Sequence, residues 1–312
     1  MIQYMKLTKA AQEQAKTFIF TQGRPLEQAR YTYHFENGTA ESVLTELAKF
    51  QNSDGGFGHA LEPDMRLSVS SVLATTVALQ ILREIAAGSQ QALVQAAMRY
   101  LMNSYEAENK VWPIIPRHDN DFPHAPWWHD DGHIRRNFGQ FLANPRAEIV
   151  GYLFAYADLI PAGFAQEMAE AIIAHIDTYA DKVDMHDLAC YITTAESPAL
   201  PDHIRQQLLP KLNHSLLATV ETDPTKWSGY TPKPLAYIHH PNSPFASLMP
   251  AALAANLDDT ITRQQDDGSW PPPWSWADNY PEAWAQAKND WAGILTLNTL
   301  KQLQAFGRLG TD

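Results

Sequence analysis

Apolar positions along the chain recur with a helical period, and two kinds of helical segment alternate. Residues 68–87 are apolar or small almost all round, which predicts a helix buried on every side that stops at Gly88. Residues 90–105 carry a single apolar stripe, which predicts a helix packed on one face only. The same two kinds of helix follow in the same order. Residues 146–160 are apolar nearly all round, and the segment after Pro161 carries a single apolar stripe.

Three more helical segments complete the pattern. They cover residues 184–194, 201–220 and 293–303, and Pro210 is expected to kink or divide the second of them. Strand-like alternation never persists for more than about four or five residues. The pattern therefore predicts an all-α fold of about ten helices.

Two long stretches, at about 112–144 and 223–244, keep no helical period and are rich in proline, histidine and aromatic residues. Loops of this length in a compact domain are usually functional or disordered, and the aromatic content argues against disorder. No shift in composition marks a linker, so the sequence predicts one domain over residues 1–312.

Composition and charge narrow the class of protein. Apolar residues make up 45% of the 312 residues and charged residues 19%, as in a globular protein. The net charge of −12 disfavours nucleic acid and anionic membranes as partners. The single cysteine, Cys190, indicates a reducing compartment. Residues 1–20 lack a signal-peptide pattern and no apolar run reaches 18 residues, so we expect a cytoplasmic protein without a membrane span.

A short motif repeats along the chain. Gln51–Phe57 and Gln265–Trp270 each combine a glutamine with Asp-Gly and an aromatic residue after a predicted helix, and Trp112 and Trp227 mark weaker copies. The unit would be a helix pair of roughly 50 residues. Glycine allows a left-handed backbone after the helix, and aspartate accepts backbone N–H bonds in the turn. These residues are therefore expected to be mainly structural.

The segments QNSDGGFG at 51–58 and QQDDGSW at 264–270 resemble the repeats of the terpenoid cyclase and protein prenyltransferase superfamily. The resemblance implies an alpha-alpha toroid, an (α/α) barrel of about five to six helix pairs, with inner helices around a central cavity and outer helices outside. The catalytic motifs of the superfamily are missing. No Asp-x-Asp-Asp or Asp-Asp-x-x-Asp string occurs, and Asp187 and Cys190 are three residues apart instead of two. The resemblance implies the fold and neither chemistry.

The strongest candidate for catalysis is the segment that follows the first copy of the motif. Glu62 and Asp64 flank a proline, Arg66 can pair with either, and His59 could reach the same space. A carboxyl group that faces a cavity has its pKa raised by desolvation, as general acid catalysis requires. The competing interpretation makes Asp64 or Ser68 a helix cap and Arg66 part of a structural ion pair.

Aromatic residues, together with Arg66, supply the candidate substrate contacts. We expect these to come from Phe57, Trp127, Trp128, Tyr237, Trp270, Trp274 and Trp276. Interleaved proline and tryptophan at 270–276 can form a rigid wall for an isoprenoid chain, a carbocation or a sugar ring, or can equally close a seam between helices. The 112–144 loop is expected to cover one mouth of the toroid, with its two tryptophans partly buried.

Histidines and aspartates are densest at His129, Asp130, Asp131 and His133, with His118 and His124 nearby in the same loop. Such a set could hold a divalent metal, although a solvated polar loop is the leading interpretation. No cofactor is indicated.

Three functions stay open. The first is an enzyme that acts on a hydrophobic or ring-shaped substrate in a central aromatic-lined cavity, in the manner of a prenyltransferase-like or cyclase-like protein. The second is a carbohydrate-active barrel, a glycosidase or lyase, that uses paired carboxylates. The third is a non-catalytic toroid that binds a small molecule or protein. The oligomeric state is not indicated.

Overall fold

The computed structural model describes residues 4–117 and 120–311, and the fold of this part of the chain is all-α. Strands are absent from the described residues, which contain only isolated β-bridges. The all-α prediction is confirmed, with twelve α-helices in place of about ten. They are α1 Lys9–Gln22, α2 Pro25–Phe35, α3 Ala40–Leu47, α4 Val72–Glu84, α5 Ala92–Ser104, α6 Ile134–Asn137, α7 Arg146–Ala155, α8 Phe164–Ile176, α9 Met185–Ala195, α10 Asp202–Thr219, α11 Pro250–Thr262 and α12 Pro281–Ala305.

The limits of α4 differ from the predicted ones. Residues before the helix are extended, because Ser71 N–H donates to the carbonyl oxygen of Phe57 at 2.9 Å. Ser71 then caps the helix, with its Oγ accepting from Ala74 N–H, so neither Asp64 nor Ser68 is the cap. At the other end the left-handed conformation falls on Ala86, with φ 53°, and Gly88 lies beyond it.

Two other helices also differ from prediction. α10 runs unbroken through Pro210, so the proline does not divide it. α12 begins at Pro281, well before the predicted start at residue 293, because Trp284 and Ala287 extend its buried face toward the N-terminus. The two long stretches contain little α-helix. Within 112–144 the described residues form only the four-residue α6 and 3₁₀ turns, and 223–244 forms only 3₁₀ turns.

The chain divides into two compact units, and one of them is Leu47–Thr219. In this unit α7 contacts both α4 and α9, and in each of these three helices more than half of the residues are buried. Each has a partner helix that buries one stripe: α5 lies against α4, α8 against α7, and α10 against α9. The alternation of buried and one-sided helices predicted from the sequence is therefore present here.

The other unit is Met1–Glu46 with Val220–Asp312. In this unit α1, α2 and α12 contact one another, and α11 contacts the 3₁₀ turn Pro234–Ala236. The buried Glu27 carboxylate of α2 accepts two hydrogen bonds from the Arg24 guanidinium, at 2.7 and 2.9 Å.

Each unit contains one copy of the same turn. The Gln51 side-chain amide donates to the carbonyl oxygen of Gly55, and the Gln264 amide donates to that of Gly268, both at 3.0 Å. Both glycines have positive φ, 93° and 89°. The second copy therefore starts at Gln264, and the predicted start at Gln265 was one residue late, because the sequence alone does not show which of the two adjacent glutamines spans the turn.

The rest of the turn also matches. Phe57 N–H donates to Thr75 Oγ1 at 3.1 Å, and Trp270 N–H donates to Thr296 Oγ1 at 3.0 Å. The Gln51 amide also donates to Leu93 of α5 at 3.3 Å, as the Gln264 amide donates at 2.9 Å to Ala11 of α1. These bonds tie the turn to the backbone of a neighbouring helix, so the motif has a structural role in both units.

The tryptophans of the two weaker copies of the motif also donate hydrogen bonds to backbone carbonyl groups. The indole N–H of Trp112 donates to Leu101 at 2.7 Å, and that of Trp227 donates to Glu221 at 2.7 Å. Leu101 lies in the last turn of α5, where carbonyl groups lack partners within the helix.

Candidate functional site

The acidic segment predicted to carry catalysis follows the first of the two turns and lies mostly inside the fold. Glu62 and Asp64 are buried, with 8% and 3% of their surface exposed, and Arg66 is half-buried. His59 is exposed, and its Nε2 lies 2.9 Å from Asn52 Oδ1. The two carboxyl groups are therefore removed from bulk water, whereas the His59 ring is not.

Residues 64–66 pair with residues 123–125 of the long loop. Ala125 N–H donates to the carbonyl oxygen of Asp64 at 2.8 Å, and Arg66 N–H donates to that of Pro123 at 3.2 Å. Met65 and His124 face each other as a non-hydrogen-bonded antiparallel pair, the arrangement in which opposite side chains lie closest. The structure thus joins the acidic segment to the histidine-rich loop, two regions that the sequence presents as separate candidates.

His124 and His129 form a hydrogen-bonded pair of imidazoles. His124 is 1% exposed, and its Nδ1 lies 2.6 Å from the carbonyl oxygen of Phe122. A carbonyl oxygen can only accept, so the proton of neutral His124 is on Nδ1. Its Nε2 then accepts from His129 Nδ1 at 3.1 Å. Neutral His129 consequently has its lone pair on Nε2, and the ring is exposed to solvent.

The two adjacent tryptophans of this loop differ in burial. Trp128 is buried and stacks on Phe138, with ring centres 5.0 Å apart and planes 6° apart. Trp127 is 41% exposed. Trp128 therefore anchors the 3₁₀ turn that precedes His129, and Trp127 presents an aromatic surface beside it. That this loop covers the mouth of a toroid stays a prediction.

The remaining candidates for metal ligands form turns. Asp130 Oδ1 accepts from Gly132 N–H at 3.0 Å, and Asp131 Oδ1 accepts from His133 N–H at 2.9 Å. The bond from the His133 backbone lowers the pKa of Asp131. Among the described residues, no three or more His, Cys, Asp or Glu side chains are grouped so as to hold a metal ion. His118 lies outside the described residues.

The predicted aromatic wall belongs to the unit Met1–Glu46 with Val220–Asp312. Tyr237, Trp270 and Trp276 are buried. Trp274 is half-buried and lies 5.3 Å from the rings of both Tyr230 and Trp291, at 80° to each. Of the four candidates in this unit, Trp274 keeps the most accessible ring. Phe57, which lies in the other unit, is fully buried in its turn.

A carboxyl group that the sequence analysis did not single out lies between α4 and α7. Glu148, in the first turn of α7, is 7% exposed, and its Oε1 accepts from Gln80 Nε2 at 2.7 Å and from the Tyr152 hydroxyl. The Arg83 guanidinium lies over the Tyr152 ring, 5.6 Å from its centre. A charged residue inside a segment that is otherwise apolar all round was the available signal, because glutamate is rarely buried.

Burial controls the chemistry of this carboxyl group. Desolvation raises the pKa of Glu148, while hydrogen bonds from Tyr152 and Gln80 and the charge of Arg83 lower it in part. Desolvation and the neighbouring Glu148 raise the pKa of Tyr152 well above its usual range. The net effect of these surroundings on Glu148 is a pKa above its ordinary value.

Comparisons with protein-family models, curated proteins and solved structures find no match to this chain. A separate property is that no helix in the described part of the chain combines the length and apolar character needed to cross a bilayer.

Proposed function

We propose that the protein is an enzyme that performs acid–base chemistry on a small organic substrate beside the paired segments 64–66 and 123–125. The observation that carries the proposal is the pair of imidazoles, in which the buried His124 orients the exposed His129. The His129 imidazole exposes the lone pair of one nitrogen, and its other nitrogen is hydrogen-bonded. This arrangement meets the geometric requirement for a general base.

The fold proposed for this enzyme is the alpha-alpha toroid that the sequence motifs imply. Its support is the row of buried helices α4, α7 and α9 in the unit Leu47–Thr219, each with one partner helix. The loops that pair lead into α4 and α7, two helices in contact. A site formed by loops on a rigid helical scaffold is a common location for catalysis.

The reaction that these groups can perform is a proton transfer. His129 Nε2 takes a proton from the substrate, and its Nδ1–H keeps the bond to His124 Nε2 so that the ring holds its orientation. Glu62 and Asp64 supply a proton or stabilise positive charge that develops on the substrate. Trp127 offers an apolar contact for a hydrocarbon chain or a sugar ring.

The test is turnover by wild-type protein and three variants, His129→Gln, Glu62→Gln and Asp64→Asn. The substrates are farnesol and farnesyl diphosphate for the isoprenoid class and para-nitrophenyl glycosides for the carbohydrate class. Glutamine keeps a hydrogen-bonding side chain but cannot take up a proton, so His129→Gln is expected to lower kcat/KM by roughly 10²–10⁴-fold. The class that reacts selects between the prenyltransferase-like and glycoside-active alternatives.

His133→Gln is the matched control, because His133 is an exposed histidine of the same loop. It should leave turnover unchanged, and melting temperatures of all variants should stay close to wild type. Turnover that survives His129→Gln at the wild-type rate would refute the proposed base. Ligand binding without turnover in either class would favour the non-catalytic alternative.

A further inference from the structure

A groove on the unit Leu47–Thr219 lies between α5 and the 3₁₀ turn Ala157–Leu159, which contact each other. Its volume is about 430 Å³, within the range of roughly 300–1,000 Å³ that is usual for small-molecule sites. The residues that line it are Gln95, Arg99, Met102, Leu159 and Pro161. The groove therefore has room for a small organic molecule.

The α5 wall of the groove carries a positive charge. Gln95, Arg99 and Met102 are spaced by four and three residues, so helical geometry places them on one face of α5. The side chains of Gln95 and Arg99 are exposed, and neither makes an ion pair or a hydrogen bond with any described residue. The chain has 35 acidic residues and 23 lysines and arginines, yet no described carboxylate pairs with this guanidinium. Its N–H donors are open to a ligand.

The opposite wall is apolar and is held in place by hydrogen bonds of the fold. Leu159 N–H donates to the carbonyl oxygen of Tyr156 at 3.0 Å, and the hydroxyl of the buried Tyr156 donates to that of Ala87 at 3.3 Å. Pro161 follows two residues later, and its ring fixes the backbone φ. Leu159 and Met102 are half-buried, so part of each apolar side chain stays accessible in the groove.

We propose that this groove binds a small carboxylic acid that has a short hydrocarbon tail. A carboxylate matches the planar fork of the Arg99 guanidinium, and the Gln95 amide can donate a further hydrogen bond to it. The tail lies on Met102, Leu159 and Pro161 and removes their apolar surface from water. One guanidinium balances the charge of a monoanion, and the apolar wall matches a hydrocarbon chain, so both ends of such an acid have a partner.

The groove is separate from the proposed acid–base site. Its residues come from α5 and from the segment 157–161, and none of them belongs to the paired segments 64–66 and 123–125. The inference therefore goes beyond the proposed function and can fail independently of it.

The experiment is a ligand-observed NMR titration of the full chain at pH 7.5 with sodium hexanoate, which is fully ionised at this pH. Acetate lacks the tail, and 1-hexanol lacks the charge. Hexanoate has four more methylene groups than acetate, and each methylene group that is buried raises affinity roughly fourfold. With about half of them covered in an open groove, hexanoate should bind at least about tenfold more tightly than acetate.

Three variants test the assignment of the two walls. Arg99→Gln should weaken hexanoate binding by at least about tenfold, because it loses the charge and the planar fork. Met102→Gln keeps the length of the side chain and suits a helix, so it should weaken hexanoate binding and leave acetate binding unchanged. Arg136→Gln is the control, since Arg136 is an exposed arginine of the same unit whose side chain makes no ion pair or hydrogen bond with any described residue.

The proposal is overturned if hexanoate does not bind the wild-type protein, or if 1-hexanol or acetate binds as tightly as hexanoate. It is also overturned if Arg99→Gln binds hexanoate as tightly as Arg136→Gln does, or if Met102→Gln binds it as tightly as wild type. Melting temperatures near wild type for all three variants show that weaker binding does not come from unfolding.

Discussion

Replacing Gly55 by alanine tests whether the repeated turn holds the unit Leu47–Thr219 together. The new Cβ would lie 2.5 Å from the carbonyl oxygen of Ala96 in α5, closer than a Cβ atom can approach. Relieving this overlap costs about 1–3 kcal/mol in shifted backbone. The φ of 93° costs alanine about 1–2 kcal/mol more. We therefore expect Gly55→Ala to lower the free energy of unfolding by about 2–5 kcal/mol.

Gly132→Ala separates the two contributions. Gly132 has a φ of 82°, but beyond its chain neighbours no described residue lies within 4 Å of the position that an added Cβ would take. This variant should lose only the conformational part, about 1–2 kcal/mol. Urea unfolding followed by circular dichroism measures both variants. Equal losses for Gly55→Ala and Gly132→Ala would refute the close packing of the turn on α5.

Further changes test the buried polar contacts. Thr75→Val keeps the shape of the side chain but leaves the buried Phe57 N–H without its acceptor. Urea unfolding should therefore show that the free energy of unfolding falls by about 1–3 kcal/mol. A change near zero would contradict the hydrogen bond. The pKa of Glu148 is raised in the folded protein, so the protonated carboxyl group stabilises the fold. This stabilisation is complete below pH 4.5, the ordinary pKa of the group, and is lost as the pH rises through the folded-state pKa. The stability of wild type relative to Glu148→Gln should therefore fall as the pH rises above 4.5, and a difference that does not change with pH would contradict the raised pKa.

Local sequence patterns predicted the all-α class and the two kinds of helix because burial imposes a helical period on the residues that it contacts. α5 shows this clearly, since Val94, Met98 and Leu101 of its predicted stripe are buried. The limits of α4 were less predictable. They depend on the bond between Ser71 and Phe57, which joins residues on either side of the acidic segment.

The candidate site depends even more on distant contacts. The segment around Glu62 and Asp64 could be chosen from the sequence, because two carboxylates flank a proline after a glycine-rich turn. The pairing of this segment with His124 could not be predicted from the sequence. The two segments are far apart along the chain, and they join through backbone atoms, which carry no residue-specific signal. Glu148 was missed for a related reason: its partner Gln80 belongs to another helix, α4, although Tyr152 lies one turn away on α7.

The most direct test of the proposed acid–base site is the protonation state of the two imidazoles. Long-range proton–nitrogen NMR of protein labelled with ¹⁵N-histidine, assigned with His124→Gln and His129→Gln, reports which ring nitrogen holds each proton. With both rings neutral, we predict that His124 is protonated at Nδ1 and that His129 is protonated at Nδ1 with a bare Nε2. A His129 ring protonated at Nε2 would contradict the account, because the atom assigned to take up the substrate proton would already carry one.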